Sequence, residues 1–226
     1  VKIVTTSAGN PAKYIKELKE MGIYVIHVVS SVRTALKARD AGVDAIVAEG
    51  SESGGKVALD EVPTISLLPL VVEQVDIPVI AAGGFATGRG LLAALAMGAE
   101  GVQMGTRFLA SEESRAHPNW KQVLVDAGDS ATGIALRNSS PTRMVRNQFF
   151  AEMDALDEPG KKAMDFMPIM GEGSSRIPDD LDGSQGNYTA GTGCGLIREV
   201  KPAASIVEDI IAEAEQCMNS LRAAFD

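Results

Sequence analysis

The chain has 226 residues, of which 45% are hydrophobic and 23% are charged, so it is long and apolar enough to bury a substantial core. Its 21 basic and 30 acidic side chains give a formal charge of −9, which argues against nucleic acid or an anionic membrane as the main partner. The apolar runs are too short to span a bilayer and no secretory signal opens the chain, which predicts a cytoplasmic protein. The two cysteines lack metal-like spacing, so no metal site is expected.

Five similar units follow one another from the first residue to about residue 112. Each has a short β-branched run that ends in small or polar residues, and most continue into an amphipathic helical stretch. The apolar runs, in chain order, are KIVTTS, YVIHVVSS, VDAIVAEG, IPVIAAGG and EGVQMGT. Near-continuous apolar strands that alternate with helices predict a parallel sheet in an α/β fold.

Residues 113–226 do not continue this repeat of strands and helices. They are predicted to form a helical and loop extension that completes the fold and covers a functional site at the strand ends. HPNWKQVLVDAG predicts a helix, SPTRMVRNQFF a loop followed by a helix or strand, and residues 157–187 a long loop with short helices. KPAASIVEDIIAEAEQCMNSLRAAF predicts one long amphipathic helix with Lys201-Pro202 at its start.

The number of units leaves the architecture open. Five strands are too few to close an eight-stranded barrel, which takes about 250 residues. The pattern therefore fits either an open doubly wound sheet or the later part of a barrel whose first three units are absent. The chain also starts at Val1, without methionine, inside a strand-like run.

Glycines at two consecutive strand ends predict a phosphate site. Gly83-Gly84 follows one strand directly before a helix, and Gly105-Thr106 follows the next. Neighbouring loops of a parallel sheet can bring free backbone N–H groups, a hydroxyl and a helix N-terminus together without a Cβ in the way. The pattern is neither a dinucleotide fingerprint nor a Walker loop, which disfavours nucleotide hydrolysis.

Several motifs in the same order resemble one flavoenzyme family. TTSAGNPAKY, DAIVAEGSESGG, IPVIAAGGFATGRG, GVQMGTRF and AHPNWK are similar to motifs of the family that includes nitronate monooxygenases (2-nitropropane dioxygenases) and the flavin-dependent enoyl-acyl-carrier-protein (enoyl-ACP) reductase. The similarity is close over about residues 1–125 and looser in SPTRMVRNQF and AGTGCGLIREVKP.

The resemblance implies a (β/α)8 TIM barrel with FMN at the carboxyl ends of its strands, here represented by the later five βα units plus the C-terminal extension. It implies that the loops of Gly83-Gly84 and Gly105-Thr106 hold the FMN phosphate. Glu49, Gly54 and Gly55 are expected beside the flavin, and Gln103 and the turn 7–9 are expected to line the mouth of the same cofactor-binding site. The implied reactions are oxidation of alkyl nitronates with O2 and reduction of an enoyl thioester with NAD(P)H.

Lys56 departs from the family pattern and carries the catalytic hypothesis. Members of this family generally have Gly-Gly-His where this chain has Gly54-Gly55-Lys56. A lysine acts as a base only where burial lowers its pKa by several units, whereas a protonated lysine could stabilise a reduced flavin or a nitronate by charge. The alternative is a catalytically impaired flavin- or phosphate-binding module, or half of a split barrel.

Other polar residues are assigned mainly structural roles. His27 is expected to be a satisfied strand histidine rather than a substrate-facing group, His117 to start a helix, and Glu52 to be a loop acid. Met164, Met167 and Met170 could form an adaptable apolar wall for an acyl chain, although loose core packing is the simpler account. An incomplete barrel exposes the strand edge at Val1, so either a missing N-terminal segment or a homo-oligomer is expected to cover it.

Overall fold

The structure, a computed structural model, describes residues 1–225, and a five-stranded parallel sheet forms its centre. The strands of this sheet are β1 (Ile3–Ser7), β2 (Tyr24–Val29), β3 (Ala45–Glu49), β5 (Val79–Ala82) and β6 (Gly101–Gln103), in the order β1-β2-β3-β5-β6. A second, antiparallel sheet contains β4 (Gly55–Lys56), β7 (Thr132–Ala135) and β8 (Thr142–Val145), in the order β4-β8-β7. The predicted α/β class and its five parallel strands are confirmed.

Nine α-helices connect and cover these strands in the described part of the chain. Their bounds are α1 (Ile15–Glu20), α2 (Val32–Asp40), α3 (Thr64–Val72), α4 (Gly88–Ala96), α5 (Thr106–Leu109), α6 (Pro118–Val125), α7 (Gln148–Ala155), α8 (Ala163–Arg176) and α9 (Ala203–Phe225). Three short 3-10 turns lie at Pro11–Lys13, Ile177–Asp179 and Thr192–Leu196. No helix within residues 1–225 is long and apolar enough to cross a membrane.

The helices α1 to α4 all pack against the same face of the parallel sheet. One buried cluster joins Ile15, Ala35, Leu67 and Ala94 of these helices to alternate strand residues. The strand residues in that cluster are Val25, Val29, Ile46, Ala48, Val79 and Ala81. A doubly wound sheet carries helices on both faces, so this one-sided layer is the arrangement of a barrel wall.

The second sheet joins β7 and β8 of the C-terminal half to β4; the sequence allowed a helix or strand in SPTRMVRNQFF, which contains β8, but did not predict the sheet. The strands β7 and β8 form a hairpin that packs on α7 and α8 through Met144, Phe149 and Phe166. The strand β4, which contains Lys56, pairs with β8 in the register Lys56↔Thr142. This pairing ties the loop after β3 to the C-terminal half.

Several elements of that half differ from the sequence-based expectations. The long loop with short helices predicted over residues 157–187 is wrong for residues 163–176, which form one 14-residue helix, α8, despite Pro168 within it. The helix begins where the Asp165 carboxylate accepts a hydrogen bond from the Lys162 backbone N–H (2.8 Å), and Phe166 is buried. The predicted helices at 118–125 and 203–225 are confirmed.

Candidate functional site

The carboxyl ends of β3, β5 and β6 enclose a cavity of about 270 Å³, called the glycine cavity here. Seven of the predicted site residues line it: Glu49, Gly54, Gly83, Gly84, Gln103, Gly105 and Thr106. Gly55 does not line this cavity; it has a φ of +82° and turns the chain into β4. The glycine cavity also has a wall from the C-terminal half, formed by Thr189, Gly191 and Gly193.

The residues of that second wall were not named as site residues, although the sequence carries a signal for them. The stretch AGTGCG has glycines at positions 191, 193 and 195. A Cβ on Gly191 would lie 2.6 Å from the carbonyl oxygen of Glu52, and one on Gly193 would lie 3.1 Å from that of Gly84. A Cβ on Gly195 would likewise lie 2.9 Å from the carbonyl oxygen of Gly128, so close backbone approach accounts for all three glycines.

Gly83 and Gly84 are required by conformation and by space. Their φ values are +96° and +84°, in the region that L side chains rarely adopt. A Cβ on Gly83 would also lie 2.9 Å from the carbonyl oxygen of Gly50. Gly105 differs, because a Cβ there would meet no atom within 4 Å and would point into open space.

Several polar groups around the glycine cavity are free to bind a ligand. Within residues 1–225, the backbone N–H groups of Gly84 and Gly105 donate no hydrogen bond. The Ser53 side chain is 8% exposed, and its Oγ likewise has no partner. The Thr106 hydroxyl accepts a hydrogen bond from the Gly191 N–H (2.9 Å), which leaves its own proton available to a ligand.

The helix that follows Gly83-Gly84 does not offer its N-terminus to this cavity, contrary to the sequence-based expectation. The Glu213 carboxylate of α9 accepts a hydrogen bond from the first N–H of α4, that of Gly88 (2.7 Å). The Thr87 hydroxyl accepts a second from the Gly90 N–H (3.2 Å). The N-terminus of α4 is therefore not available to an anion, whereas the free N–H groups of Gly84 and Gly105 are.

Glu52 has a structural role, and it fixes the loop between β3 and β4. Its carboxylate accepts hydrogen bonds from the Thr64 backbone N–H (3.0 and 2.9 Å) and lies 2.9 Å from the Thr64 hydroxyl. The same hydroxyl is within 3.1 Å of the Ala82 carbonyl oxygen and 3.0 Å of that of Gly83. Glu52 therefore caps α3, and Thr64 lies beside the end of β5.

A second cavity of about 900 Å³, called the mouth cavity here, adjoins the first. It is lined by the turn 7–10 after β1, by Glu49 and by Lys56. Glu49 therefore borders both the glycine cavity and the mouth cavity. Burial raises the pKa of the Glu49 carboxyl; the nearby Ser53 side chain opposes this shift, although its Oγ does not reach hydrogen-bonding geometry.

Lys56 is exposed, and no carboxylate within residues 1–225 forms an ion pair with it. Its side chain borders the mouth cavity on one side. On the other it borders a third cavity against α8.

The two histidines have structural partners. His27 lies on the helix-covered face of β2, its Nδ1 is 2.7 Å from the Thr6 hydroxyl, and the residue also lines the mouth cavity. Burial lowers the pKa of His27, which favours the neutral ring. His117 caps α6 by accepting a hydrogen bond from the Asn119 N–H (3.3 Å). No cluster of metal-ligating side chains is found in the described part of the chain.

Comparisons with known proteins identify the family. The nitronate monooxygenase family model matches residues 1–213. A probable nitronate monooxygenase of Staphylococcus saprophyticus is 33% identical over 97% of this chain and 64% of its own length. One from Staphylococcus aureus is 42% identical over 68% of this chain and 46% of its own length. The chain thus spans about two thirds or less of these relatives.

Two solved structures share the fold along nearly the whole chain. FabK from Thermotoga maritima superimposes with a TM-score of 0.90 and 42% identity, covering 99% of this chain and 71% of its own. Nitroalkane oxidase from Streptomyces ansochromogenes superimposes with a TM-score of 0.84 and 29% identity, covering 98% and 66%. The predicted TIM-barrel family and the family resemblance are thereby confirmed. The chain belongs to the nitronate monooxygenase family of oxidoreductases.

Proposed function

We propose that this chain carries the FMN site of an oxidoreductase that oxidises alkyl nitronates with O2 or reduces an enoyl thioester with NAD(P)H. The observation that carries the proposal is the glycine cavity. Gly83 and Gly84, both with a positive φ, lie there with the free N–H groups of Gly84 and Gly105. The buried Ser53 hydroxyl, which has no partner, and the half-buried Glu49 carboxyl line the same cavity.

The residues of the glycine cavity fit the chemistry of FMN. Gly84, Gly105 and the Thr106 hydroxyl would hold the phosphate, because free N–H and O–H donors without an intervening Cβ suit an anion. Glu49, Gly54 and Gln103 would lie beside the ring system. When bound, FMN would supply the electron transfer that amino-acid side chains do not provide.

Lys56 and Glu49 face the mouth cavity, where a substrate would enter. The ammonium group of Lys56 would attract a nitronate or stabilise negative charge on a thioester oxygen, since electrostatic stabilisation needs a charge but no proton transfer. The carboxyl of Glu49, with its raised pKa, retains a proton at higher pH than an ordinary glutamate does. Glu49 is therefore the candidate proton carrier where the family has a histidine two residues after Gly54.

The second candidate function is a flavin- or phosphate-binding module with impaired catalysis. The exposure of Lys56 favours it, because an exposed lysine does not replace the acid–base role of the family histidine. Replacing Lys56 with His restores the family residue, whereas Lys56→Ala removes the charge. Restored turnover in the histidine variant alone would support the impaired-module proposal.

Anaerobic spectroscopy separates the two reactions. The protein is loaded with FMN and mixed without oxygen, first with NADPH and then, in a fresh sample, with a propyl nitronate. Rapid bleaching of the flavin absorbance by NADPH supports the reductase, and bleaching by the nitronate alone supports the monooxygenase. Failure of both donors to bleach a flavin that is bound would leave only the binding module.

A further inference from the structure

An ion pair joins the loop that follows Lys56 to the hairpin of β7 and β8. The Arg137 Nε donates to one carboxylate oxygen of Glu61 (2.7 Å) and the Nη2 to the other (3.0 Å), so the contact is bidentate. The Arg137 Nη1 donates to the Ile134 carbonyl oxygen of β7 (2.8 Å), which fixes the guanidinium on the hairpin. We propose that Arg137 and Glu61 are positioning residues that hold the segment 57–61 on the hairpin and thereby fix Lys56 beside the mouth cavity. This proposal rests on the role of Lys56 in the proposed function.

The segment 57–61 has little else to attach it to the hairpin. Within residues 1–225, one backbone hydrogen bond joins the two, from the Val57 N–H to the Pro141 carbonyl oxygen (3.0 Å). The base of the loop is closed separately, because the Ser51 N–H donates to the Val62 carbonyl oxygen (2.9 Å). The ion pair is therefore the attachment at the end of the segment that lies farther from Lys56 along the chain.

Strained backbone lies at both ends of the ion pair. Glu61 has a φ of +44°, in the left-handed region that residues with a side chain rarely adopt, and its N–H donates to the Ala58 carbonyl oxygen (3.1 Å). Leu136, which precedes Arg137, has a φ of +58°. Such conformations persist only where surrounding contacts hold them. The bidentate contact with Arg137 is the contact that holds the Glu61 side chain.

The ion pair is charged and partly open to solvent. The hydrogen bond from Arg137 lowers the pKa of the Glu61 carboxyl, and the nearby Arg143 adds to this shift, whereas partial burial opposes it. The Arg137 and Glu61 side chains are 54% and 31% exposed. Dissolved salt therefore screens their attraction, and the tether is expected to weaken as the ionic strength rises.

The tether bears on Lys56 because the strand that carries this residue is short. The strand β4 has two residues, and Lys56 pairs with Thr142 at its end. Val57 and Ala58, which follow directly, line the mouth cavity together with Lys56. Release of the segment 57–61 would free this end of β4, and the ammonium group would spread over more positions. Stabilisation by a charge falls with distance, so a fixed Lys56 acts on a substrate more strongly than a mobile one.

Hydrogen exchange of the Val57 amide, measured by NMR in the flavin-free protein, tests the tether directly. Arg137→Ala is expected to raise this exchange rate about threefold to fivefold, because an exposed bidentate ion pair shifts an opening equilibrium by about that factor. The Ile46 amide, bound to the Pro78 carbonyl oxygen (2.9 Å) in the central sheet, is the internal reference and should keep its rate. In the unmodified protein, added salt should speed exchange at Val57, and in Arg137→Ala it should not.

Arg39→Ala is the matched control. Arg39 likewise donates to one carboxylate, that of Asp40 (3.0 and 2.8 Å), and to one backbone carbonyl oxygen, that of Gln74 (3.2 Å). It lies on α2 and does not contact the segment 57–61, so its removal should leave exchange at Val57 unchanged.

Turnover of the FMN-loaded protein tests whether Arg137 acts through Lys56. Arg137→Ala is expected to lower kcat/KM for a propyl nitronate at least about threefold, since a mobile ammonium group attracts the substrate less. The same substitution in a Lys56→Ala background should cost nothing further. A residue that only stabilises the fold would lower kcat/KM in both backgrounds.

Two results would overturn the proposal: exchange at Val57 that Arg137→Ala leaves unchanged or that Arg39→Ala raises equally, or independent losses of kcat/KM from Arg137→Ala and Lys56→Ala. The exchange experiment needs no flavin, so it decides on the tether by itself. Raised exchange in a protein that binds no FMN would keep the tether and remove the proposed function. Bound FMN with unchanged exchange would do the reverse.

Discussion

Gly54→Ala tests whether the glycine cavity is held together by close backbone packing. A Cβ on Gly54 would lie 2.6 Å from the carbonyl carbon of Ala190 and 2.6 Å from the backbone nitrogen of Gly191. Both atoms belong to the main chain, so neither can rotate away, and the loop after β3 must separate from the segment 190–191. Overpacking of this kind costs about 1–3 kcal/mol of the free energy of unfolding.

Gly105→Ala is the matched control, since Gly105 lines the same cavity with open space around its Cβ position and a φ of −89°. For a chain of this size, about 1 kcal/mol corresponds to roughly 2–4 °C in Tm, so Gly54→Ala is expected to lower the Tm by about 2–12 °C. The control is expected to stay within about 0.5 kcal/mol of the unmodified protein. Calorimetric unfolding of the three proteins measures the difference. Equal Tm shifts in the two variants would refute the packing argument.

Three further predictions concern charge and hydrogen bonding. Because burial raises the pKa of Glu49 above 4.5, this residue contributes stability below about pH 4.5 that is lost as the pH rises through the raised pKa. Glu49→Gln should therefore gain stability relative to the unmodified protein as the pH rises above about 4.5 in urea titrations, and a constant difference would contradict the assignment. Lys56→Ala should lower kcat/KM for an anionic nitronate at least about tenfold at low ionic strength, because the variant lacks the positive charge that attracts the substrate. The loss should be smaller at high salt, which screens that charge, and a salt-independent loss would exclude a charge effect. Asp180→Asn should lower the free energy of unfolding by at least about 2 kcal/mol in thermal unfolding. The buried Asp180 carboxyl accepts hydrogen bonds from the Tyr188 hydroxyl (2.9 Å) and from three backbone N–H groups, those of Ser184, Gln185 and Gly186 (3.0, 2.9 and 2.6 Å). A smaller loss would show that the segment 184–188 does not depend on this carboxyl.

The features that the sequence predicts well are local. Strand ends with Gly83-Gly84 and Gly105-Thr106 meet because neighbouring parallel strands end at one edge of the sheet, and alternation of apolar and helical stretches is sufficient to place them. The final helix, with Lys201-Pro202 just before it, follows from periodicity and a start signal.

The features that the sequence does not predict depend on contacts between distant residues. Glu213 occupies the N-terminus of α4 from 125 residues away, and Glu52 caps α3 across the end of β5. The strands β7 and β8 are only four residues long each, and their hairpin pairs with β4, which is distant in the sequence, and thereby positions Lys56. The coverage of the β1 edge by further chain or by a second copy stays a prediction.

The central claim is that the glycine cavity binds FMN, and a direct titration tests it. The purified protein is titrated with FMN while the flavin absorbance and fluorescence are recorded, and Gly105→Val and Gly101→Val are measured alongside. A Cβ at either position meets no atom within 4 Å, but only Gly105 lines the cavity. The account predicts one FMN per chain for the unmodified protein and for Gly101→Val, with a large loss of affinity in Gly105→Val. A protein that binds no FMN, or binds it equally well in all three forms, would contradict it.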